Sequence, residues 1–308
     1  MDHAHVHPHD QSHAHKPAHF GRAFALAAAL NIALIAAQVV YGVLAHSVAL
    51  LADAGHNFGD VLGLLLAWGA HAMRNSPPTK RYTYGFQSAS ILAALLNALI
   101  LLVATGAIAW QAILRFFNPS DVAGVTVMSV AAVGIVVNGV SAWLLMAGRK
   151  DDLNIRGAFL HLLGDAAISL GVVVAGGVIA LTAWNWLDPL ASLVISALIV
   201  WGTWGLLREA TKLSLAAVPT EVDPANVRDY LRRLPGVTEV HDLHIWAMST
   251  TEIALTAHLV RPGSGLDDDL LKHAADDLAH RFKIGHVTLQ IEAGTTEQGC
   301  RLAPDSVV

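Results

Sequence analysis

The sequence predicts an α-helical membrane protein, in which a bundle of six transmembrane helices is followed by a small α+β domain. Of its 308 residues, 54% are hydrophobic and only 14% are charged, whereas soluble domains carry about 25% charged residues. The apolar residues are grouped into runs of the roughly 20 residues that a spanning helix needs. After Leu207 no such run follows, and charged and turn-forming residues become frequent, which indicates a separate domain.

Six apolar runs are candidates for spanning helices. Their approximate bounds are 23–44, 49–73, 87–110, 123–147, 157–182 and 187–207. We therefore predict three parts, which are a His-rich disordered tail over 1–22, a six-span transmembrane domain over 23–207 and a smaller domain over 208–308.

The short loops between the runs differ in their content of Lys and Arg, and basic loops lie on the cytoplasmic side of a membrane. The loops over 74–86 and 148–156 each carry three such residues, whereas the loop over 45–48 and the turn over 185–188 carry none. A further loop after the third run carries only Arg115. We therefore expect a multi-pass protein of the inner (plasma) membrane with both termini in the cytoplasm.

Other features of the composition exclude several classes of protein. A net charge of −5 without a basic patch argues against a nucleic-acid partner. A single cysteine, Cys300, excludes an internal disulfide framework. The first nineteen residues have little apolar area to bury, and we interpret them as a metal-collecting arm, with a cloning tag as the alternative. The seven histidines of this arm are His3, His5, His7, His9, His13, His15 and His19.

Two copies of one four-residue spacing lie inside the apolar runs: His56-x-x-x-Asp60 and His161-x-x-x-Asp165. Residues four apart lie on the same face of a helix. Ionisable residues at membrane depth are costly and usually mark an ion pathway. Together the two pairs offer two nitrogen and two oxygen donors, which suit tetrahedral Zn²⁺. A core histidine beside a helix-end carboxylate would explain either pair alone, but it explains two pairs in two helices poorly.

Two further polar residues of the second run are weaker candidates. Asp53 precedes His56 by three residues and shares its helix face, so that metal binding competes with helix capping or a role at the mouth of the pathway. His71 lies at the cytoplasmic end of the same run, where either an ordinary interfacial histidine or a shuttle metal site fits.

Several segments of the chain resemble the cation diffusion facilitator family. They are Ala49–Asp60 (ALLADAGHNFGD), His161–Asp165 (HLLGD), Pro77–Thr79 with Tyr84–Phe86, and Asp188–Pro189. The resemblance implies a homodimer in the lipid bilayer that exports cytoplasmic Zn²⁺, with Co²⁺ or Cd²⁺ as alternative ions, in exchange for protons. It needs no catalytic cofactor and is not an enzyme.

The same resemblance implies that the transport site consists of the two His-Asp pairs. One departure is Gln38, where many zinc-type members carry Glu, and this puts in doubt a proton or metal role for that position. The preference among Zn²⁺, Co²⁺, Cd²⁺ and Ni²⁺ and the proton stoichiometry stay open.

The part after residue 208 is predicted to run helix, strand, strand, helix, strand. The predicted elements are a helix over 223–234, strands over 237–248 and 252–261, a helix over 266–282 and a strand over 286–292. The first helix has a capping residue at its start, and the second has acidic residues in its first turn and basic residues near its end. The three strands alternate between apolar and polar residues, the last one strictly. The order is similar to the ferredoxin-like cytoplasmic domain of the family, which dimerises and binds regulatory metal.

The residues of this domain that match the family's metal-binding pattern are His241, His258, His286 and Glu292. Exposed histidines on a solvated strand face are the alternative interpretation. Cys300 lies in a tail where relatives sometimes place an extra ligand, and an inert thiol explains it equally well.

Three rival functions make different demands on the sequence. An intramembrane zinc protease would need a His-Glu-x-x-His helix, and no such segment occurs. A passive channel would need weak sites along a pore, whereas these donors are concentrated in one place. A membrane-anchored metal sensor would not need six polar-studded spans. Exchange for protons is favoured because a metal and protons compete for the same His and Asp atoms.

Overall fold

The protein is described from a computed structural model. The structure describes residues 20–74, 76–118, 120–146, 153–263, 267–294 and 300. The predicted His-rich arm, from His3 to His19, lies outside the described residues. The described chain forms two compact units, one taking residues up to Asn57 with Gln111–Ile195, the other Phe58–Trp110 with the chain from Ser196 onward.

Six long helices occupy the apolar part of the chain. They are α1 (Phe20–Leu44), α2 (Val48–Arg74), α3 (Ala89–Phe117), α4 (Gly124–Leu145), α5 (Leu153–Thr182) and α6 (Leu187–Ser214). Within the described residues, five of them (all except α2) are long and apolar enough to cross a membrane. The prediction of a helical membrane domain is thus confirmed, whereas the second span stays a prediction.

Helix α2 has the length of a span but a more polar sequence than the others. Its 27 residues would extend about 40 Å at 1.5 Å per residue. It carries Asp53, Asp60 and Arg74, and these charges lower its mean hydropathy. The charges that weaken the case for a span are those expected of an ion pathway.

Two helices run further than the sequence predicted. Helix α3 continues to Phe117, so that Arg115 lies on a helix and not in a loop as expected. Its guanidinium donates a hydrogen bond to the carbonyl of His46, which ties it to the turn that precedes α2. Helix α6 continues beyond Leu207 to Ser214, because good helix formers follow the apolar run.

The first unit is held together by close backbone packing and by one buried carboxylate. A Cβ on Gly124 of α4 would lie 2.7 Å from the carbonyl oxygen of Gly176 on α5, so glycine at these positions lets the two helices approach closely. The buried Asp188 at the start of α6 accepts hydrogen bonds from the hydroxyl of Ser47 and, at 2.8 Å, from the amide of Val48. This carboxylate therefore satisfies the exposed amide groups at the start of α2.

The second unit contains the α+β domain. Its elements are α7 (Pro224–Arg232), β1 (Glu239–Ala247), β2 (Ile253–Val260), α8 (Asp268–Phe282) and β3 (Ile284–Glu292). The sheet order is β1-β2-β3, with β1 antiparallel and β3 parallel to the central β2. This confirms the predicted order of elements. The core is apolar, with Leu231, Leu255, Leu259 and Leu278 fully buried.

The turn between β1 and β2 contacts the C-terminal end of α2 and the N-terminal end of α3 within this second unit. Arg74 reaches Glu252 at 3.1 Å and the hydroxyl of Thr251 at 2.8 Å. The amide of Thr250 donates to Ser90 Oγ at 3.1 Å. These polar contacts attach the sheet to the ends of the helices.

Candidate metal sites

The first candidate site is centred on the carboxylate of Asp165 in the first unit. His56 Nε2, from α2, lies 3.4 Å from Asp165 Oδ1, and His161 Nε2, from α5, lies 3.6 Å from Asp165 Oδ2. The two imidazole rings stand edge to face with their centroids 5.8 Å apart. The structure thus brings together three of the four predicted ligands of the transport site.

The burial of these groups changes across the site. The Asp165 side chain is 4% accessible, that of His56 17% and that of His161 45%. The carboxylate is therefore withdrawn from the surface of the unit, while nearly half of the His161 side chain lies at that surface.

The fourth predicted ligand, Asp60, lies on α2 one turn after His56 and is partly buried. Four residues along a continuous helix give a rise of about 6 Å and nearly the same direction. Asp60 therefore shares the face of α2 that carries His56.

Asp53 has a different environment from the two His-Asp pairs. It is fully buried, and its Oδ2 accepts hydrogen bonds from Gln38 Nε2 at 2.5 Å and from Ser169 Oγ at 3.2 Å. Gln38 Oε1 accepts in turn from Asn57 Nδ2 at 3.2 Å. Asp53 is thus not a helix cap, since its hydrogen bonds go to side chains of α1 and α5. Ser169 was not predicted as a functional residue, although it continues the i, i+4 spacing of His161 and Asp165.

His71 lies apart from these groups, in the last turn of α2. Its side chain is exposed and lines a cavity of about 280 Å³ with Arg74, Asn97 and Thr251 in the second unit. Eleven residues separate it from Asp60, which is about 16 Å along the helix axis. His71 therefore does not belong to the site around Asp165.

The second candidate site lies on the sheet of the α+β domain. His258 Nδ1 is 2.9 Å from Glu292 Oε1 and 3.6 Å from the Cys300 sulfur. His241 Nε2 is 3.4 Å from the other oxygen of Glu292. One ligand atom from each of the four residues lies within 4.8 Å of the others. Two imidazoles, a carboxylate and a thiol are all ligands that Zn²⁺ accepts.

The register of the sheet explains this cluster. His241 of β1 stands directly opposite His258 of β2, so both side chains point to the same face. Glu292 is paired with Val260, two residues after His258, and it therefore lies on that face as well. His241 is almost completely buried, and neither of its ring nitrogens makes a hydrogen bond within the described residues. Buried polar atoms without hydrogen bonds need an explanation, and a bound ion is one.

Asp242 was not predicted from the sequence, and its carboxylate lies next to the ligand cluster. It adopts a left-handed φ of 50° at an irregularity between His241 and His244 in the β1–β2 register. Its carboxylate lies 2.8 Å from His244 Nε2 and 3.4 Å from His258 Nε2. A carboxylate on the second nitrogen orients a ligating imidazole and makes it more basic. His244, which the sequence left undecided, is held by Asp242.

His286 was predicted with these ligands, and the structure places it elsewhere. It is exposed at the other end of β3, where its ring stands against that of Tyr84 with centroids 5.4 Å apart. Six residues separate it from Glu292, which is about 20 Å along a strand. Strict alternation places both on one face of β3, but it does not bring them together. Cys300 takes the fourth position instead.

Comparison with known proteins identifies the family. Residues 24–213 match the cation efflux transmembrane domain, and residues 219–294 match the cytoplasmic domain of cation efflux proteins, a family that also carries the name ZT_dimer. The chain belongs to the cation efflux family. The resemblance drawn from the sequence motifs is confirmed, and so is the prediction of a divalent metal cation transporter that is not an enzyme.

Curated relatives resemble this cation efflux protein over most of its length. The metal cation efflux system protein CzcD of Cupriavidus metallidurans is 34% identical over 96% of this chain and 91% of its own. The zinc transporter ZitB of Escherichia coli is 37% identical over 83% of this chain and 82% of its own. The cadmium, cobalt and zinc/H(+)-K(+) antiporter of Bacillus subtilis is 32% identical over 83% of both chains.

Proposed function

We propose that this protein exports Zn²⁺ from the cytoplasm in exchange for protons, through a site formed by His56, Asp60, His161 and Asp165. The observation that carries the proposal is the Asp165 carboxylate, which is held between two imidazoles at 3.4 and 3.6 Å. Two ligands bound at about 2.0–2.1 Å to a tetrahedral ion lie about 3.3 Å apart. The observed separations are close to that value.

Asp60 completes the set in this proposal. Three donors would leave one position of a tetrahedral Zn²⁺ open, as in catalytic zinc sites. Asp60 follows His56 by one helical turn on the same face of α2. The result is a closed site with two nitrogen and two oxygen ligands, in which two carboxylates balance the charge of the ion.

Exchange for protons follows from the chemistry of these ligands. The metal binds when the imidazoles are neutral and the carboxylates ionised. Imidazole ordinarily titrates near pH 6.5, so modest changes in proton concentration shift the competition. Protons that enter the site from outside displace the ion, and loss of protons to the cytoplasm prepares the site for the next one. The Bacillus subtilis relative carries H(+) in its name.

The preference for zinc rests on the two imidazoles. Nitrogen ligands suit Zn²⁺, Co²⁺ and similar ions, whereas Mn²⁺ and Mg²⁺ prefer oxygen ligands. Both CzcD and ZitB are named as metal or zinc transporters. Cd²⁺ and Co²⁺ fit the same ligands and are the natural competitors in a measurement.

The membrane arrangement that we propose has six spans, with both termini on the cytoplasmic side of the plasma membrane. Helix α2 is the second span, and one of its charged residues, Asp60, is a ligand of the transported ion. The His-rich tail over 1–22, the spans over 23–207 and the cytoplasmic domain over 208–308 form the three parts. The name of the family that matches the cytoplasmic domain supports a homodimer.

The cytoplasmic domain is proposed to bind a regulatory metal ion through His241, His258, Glu292 and Cys300. The support is their proximity, with ligand atoms within 4.8 Å. An ion bound there stabilises the folded domain, because a ligand that binds only the folded state raises its stability by mass action.

Transport measured in proteoliposomes tests the central proposal. Zn²⁺, Cd²⁺, Co²⁺, Ni²⁺ and Mn²⁺ are supplied one at a time, with and without an imposed pH gradient, and both metal and proton fluxes are recorded. We expect Zn²⁺ flux that depends on the gradient and a proton flux in the opposite direction. Metal flux without proton movement would indicate a channel, and binding without flux would indicate a sensor.

A further inference from the structure

The hydrogen-bonded group around Asp53 is not explained by the proposed transport site. Gln38 of α1, Asp53 of α2 and Ser169 of α5 are all fully buried in the first unit. Gln38 and Ser169 both donate to the same carboxylate oxygen, Oδ2. Within the described residues, the other oxygen, Oδ1, is buried and receives no hydrogen bond.

Burying a carboxylate for structural reasons alone would be costly. A charged group inside a membrane protein loses its hydration, and the loss is only partly recovered from two hydrogen bonds. An asparagine at this position would make the same contacts with Gln38 and Ser169 without the charge. A buried carboxyl group that asparagine could replace in these contacts therefore indicates an interaction with a cation.

The position of Asp53 along the helices connects it with the cation of the transport site. On α2 it precedes His56 by three residues, which is about 4.5 Å along the axis. On α5 its partner Ser169 follows Asp165 by four residues, which is about 6 Å. In the proposed topology α2 runs inward and α5 runs outward, so both displacements point away from the cytoplasm. Asp53 thus lies directly on the outward side of the pair formed by His56 and Asp165.

We infer that Asp53, Gln38 and Ser169 form a second cation site, an oxygen-only station that receives the divalent ion as it leaves the transport site. It offers Oδ1 of Asp53 and the hydroxyl oxygen of Ser169, while Gln38, whose amide oxygen accepts from Asn57 at 3.2 Å, holds the carboxylate in place through its amide nitrogen. Oxygen ligands without imidazole or thiolate hold Zn²⁺ less tightly than the His-Asp site does. Weak binding next to a strong site is what release requires, because the ion must leave as well as bind. This inference rests on the proposed transport function.

The decisive variant is Asp53→Asn in the full-length protein in proteoliposomes. It removes the carboxylate but keeps the shape, and the amide oxygen of asparagine can accept the same hydrogen bonds from Gln38 and Ser169. Loading from the cytoplasm uses the transport site, whereas release uses the station. We therefore expect the maximal Zn²⁺ flux to fall about tenfold, with the half-saturating Zn²⁺ concentration changed by less than about threefold.

The matched control is the double variant Gln38→Glu with Asp53→Asn. It moves the carboxylate across the hydrogen bond from α2 to α1 and keeps both the net charge and the donor–acceptor pattern with Asn57. The flux should return to within about threefold of the wild type. Ser169→Ala removes one oxygen of the station and serves where Asp53→Asn does not reach the membrane, and we expect it to lower the maximal flux about threefold at unchanged half-saturation.

Several results would overturn the station. Wild-type flux in Asp53→Asn, or in Ser169→Ala where that variant replaces it, would show that the group has a structural role only. A raised half-saturating concentration at unchanged maximal flux would make Asp53 a ligand of the transport site. A double variant as slow as Asp53→Asn would show that a carboxylate in this place is not what matters. The His161→Ala variant keeps the two proposals apart, since flux retained there contradicts the transport site itself, whatever the Asp53 variants do.

Discussion

In the membrane domain the candidate ligands lie on two helices, whereas in the C-terminal domain they lie on three strands and a tail. The first group has two imidazoles and two carboxylates, and His161 is 45% accessible. The second group has a thiol in place of one carboxylate, and its two histidine side chains are only 4% and 13% accessible. A thiolate and buried imidazoles hold an ion tightly. Accessible ligands are more easily protonated, and a protonated ligand releases the ion. On this basis we propose that the first group (His56, Asp60, His161 and Asp165) is an exchanging site and that the second (His241, His258, Glu292 and Cys300) is a retaining one.

Removing a ligand of the exchanging site should have the largest effect. We expect His161→Ala or Asp165→Ala to abolish Zn²⁺ transport, because three remaining donors no longer enclose the ion and Asp165 loses a partner at 3.6 Å or is itself lost. Flux into proteoliposomes, with the amount of inserted protein measured in parallel, checks this. His273→Ala is the control, since this exposed histidine lies in the C-terminal domain, where it hydrogen-bonds to the carbonyl of Asp269 on its own helix. More than about half of the wild-type flux in either ligand variant would refute the site.

Changing a ligand of the exchanging site without removing it should shift selectivity. In His56→Asp an oxygen replaces a nitrogen, which makes the site harder and favours Mn²⁺ relative to Zn²⁺. We expect transport to continue with a raised Mn²⁺ to Zn²⁺ flux ratio, measured together with Cd²⁺ in the same vesicles. If the three relative rates stay as in the wild type, His56 does not select the ion.

The two sites also differ in how far the sequence predicts them. Helical ligands four residues apart share a face, so His56-x-x-x-Asp60 and His161-x-x-x-Asp165 predict their own geometry. On strands the alternation predicts a face but not a position along it, so it does not reveal that β3 separates His286 from Glu292, two residues that the resemblance to the family's pattern places together. Asp242 gave no signal, since nothing in the sequence marks the left-handed residue between His241 and His244. Helices α3 and α6 extend beyond the predicted spans, because an apolar run indicates the part of a helix that lies in the membrane and not the whole length of the helix.

Damaging the retaining site should reduce transport without abolishing it. His258→Ala with Glu292→Ala removes two of four clustered ligands, so we expect the full-length protein to bind one Zn²⁺ fewer per chain, and its C-terminal domain to lose the thermal stabilisation that Zn²⁺ provides. Cys300→Ser should weaken this binding, because a hydroxyl is a poorer ligand than a thiolate.

His286→Ala is the matched control for the retaining site. It is a histidine of the same sheet that lies against Tyr84, and the count of bound Zn²⁺ should not change. An unchanged count in the double variant would refute the cluster. Complete loss of transport there would mean that this site takes part in every cycle and is not regulatory.

The smallest effect concerns the fold around the retaining site, and it tests whether acid acts on ligands or on the domain. Asp267 caps α8, because its Oδ1 accepts a hydrogen bond from the amide of Leu270 at 3.0 Å. Its Oδ2 lies 2.9 Å from the guanidinium of Arg261. The hydrogen bond from Leu270 and then the guanidinium of Arg261 hold the pKa of this carboxyl below its ordinary value of 3.8. A lowered pKa stabilises the fold above the unfolded value, and the contribution is lost only as the pH falls through the folded pKa. Between pH 7.5 and 5.5 Asp267 therefore stays ionised, while free imidazoles become protonated.

We accordingly expect acidification over that range to release metal by protonating its ligands, from the exchanging site at a higher pH than from the retaining site, while the α8 cap stays intact. Asp267→Asn should lower the unfolding temperature of the C-terminal domain in the metal-free protein by a small amount that is the same at pH 7.5 and 5.5. The difference from the wild type should shrink only below about pH 4, where the wild-type carboxyl itself becomes protonated. Circular dichroism and hydrogen exchange of residues 268–282 measure whether the helix stays folded, and a zinc-sensitive dye measures the Zn²⁺ that the ligands release. If the cap opens at the pH at which metal leaves, then acid acts on the domain as a whole, and the distinction between an exchanging and a retaining site cannot be drawn from their ligands.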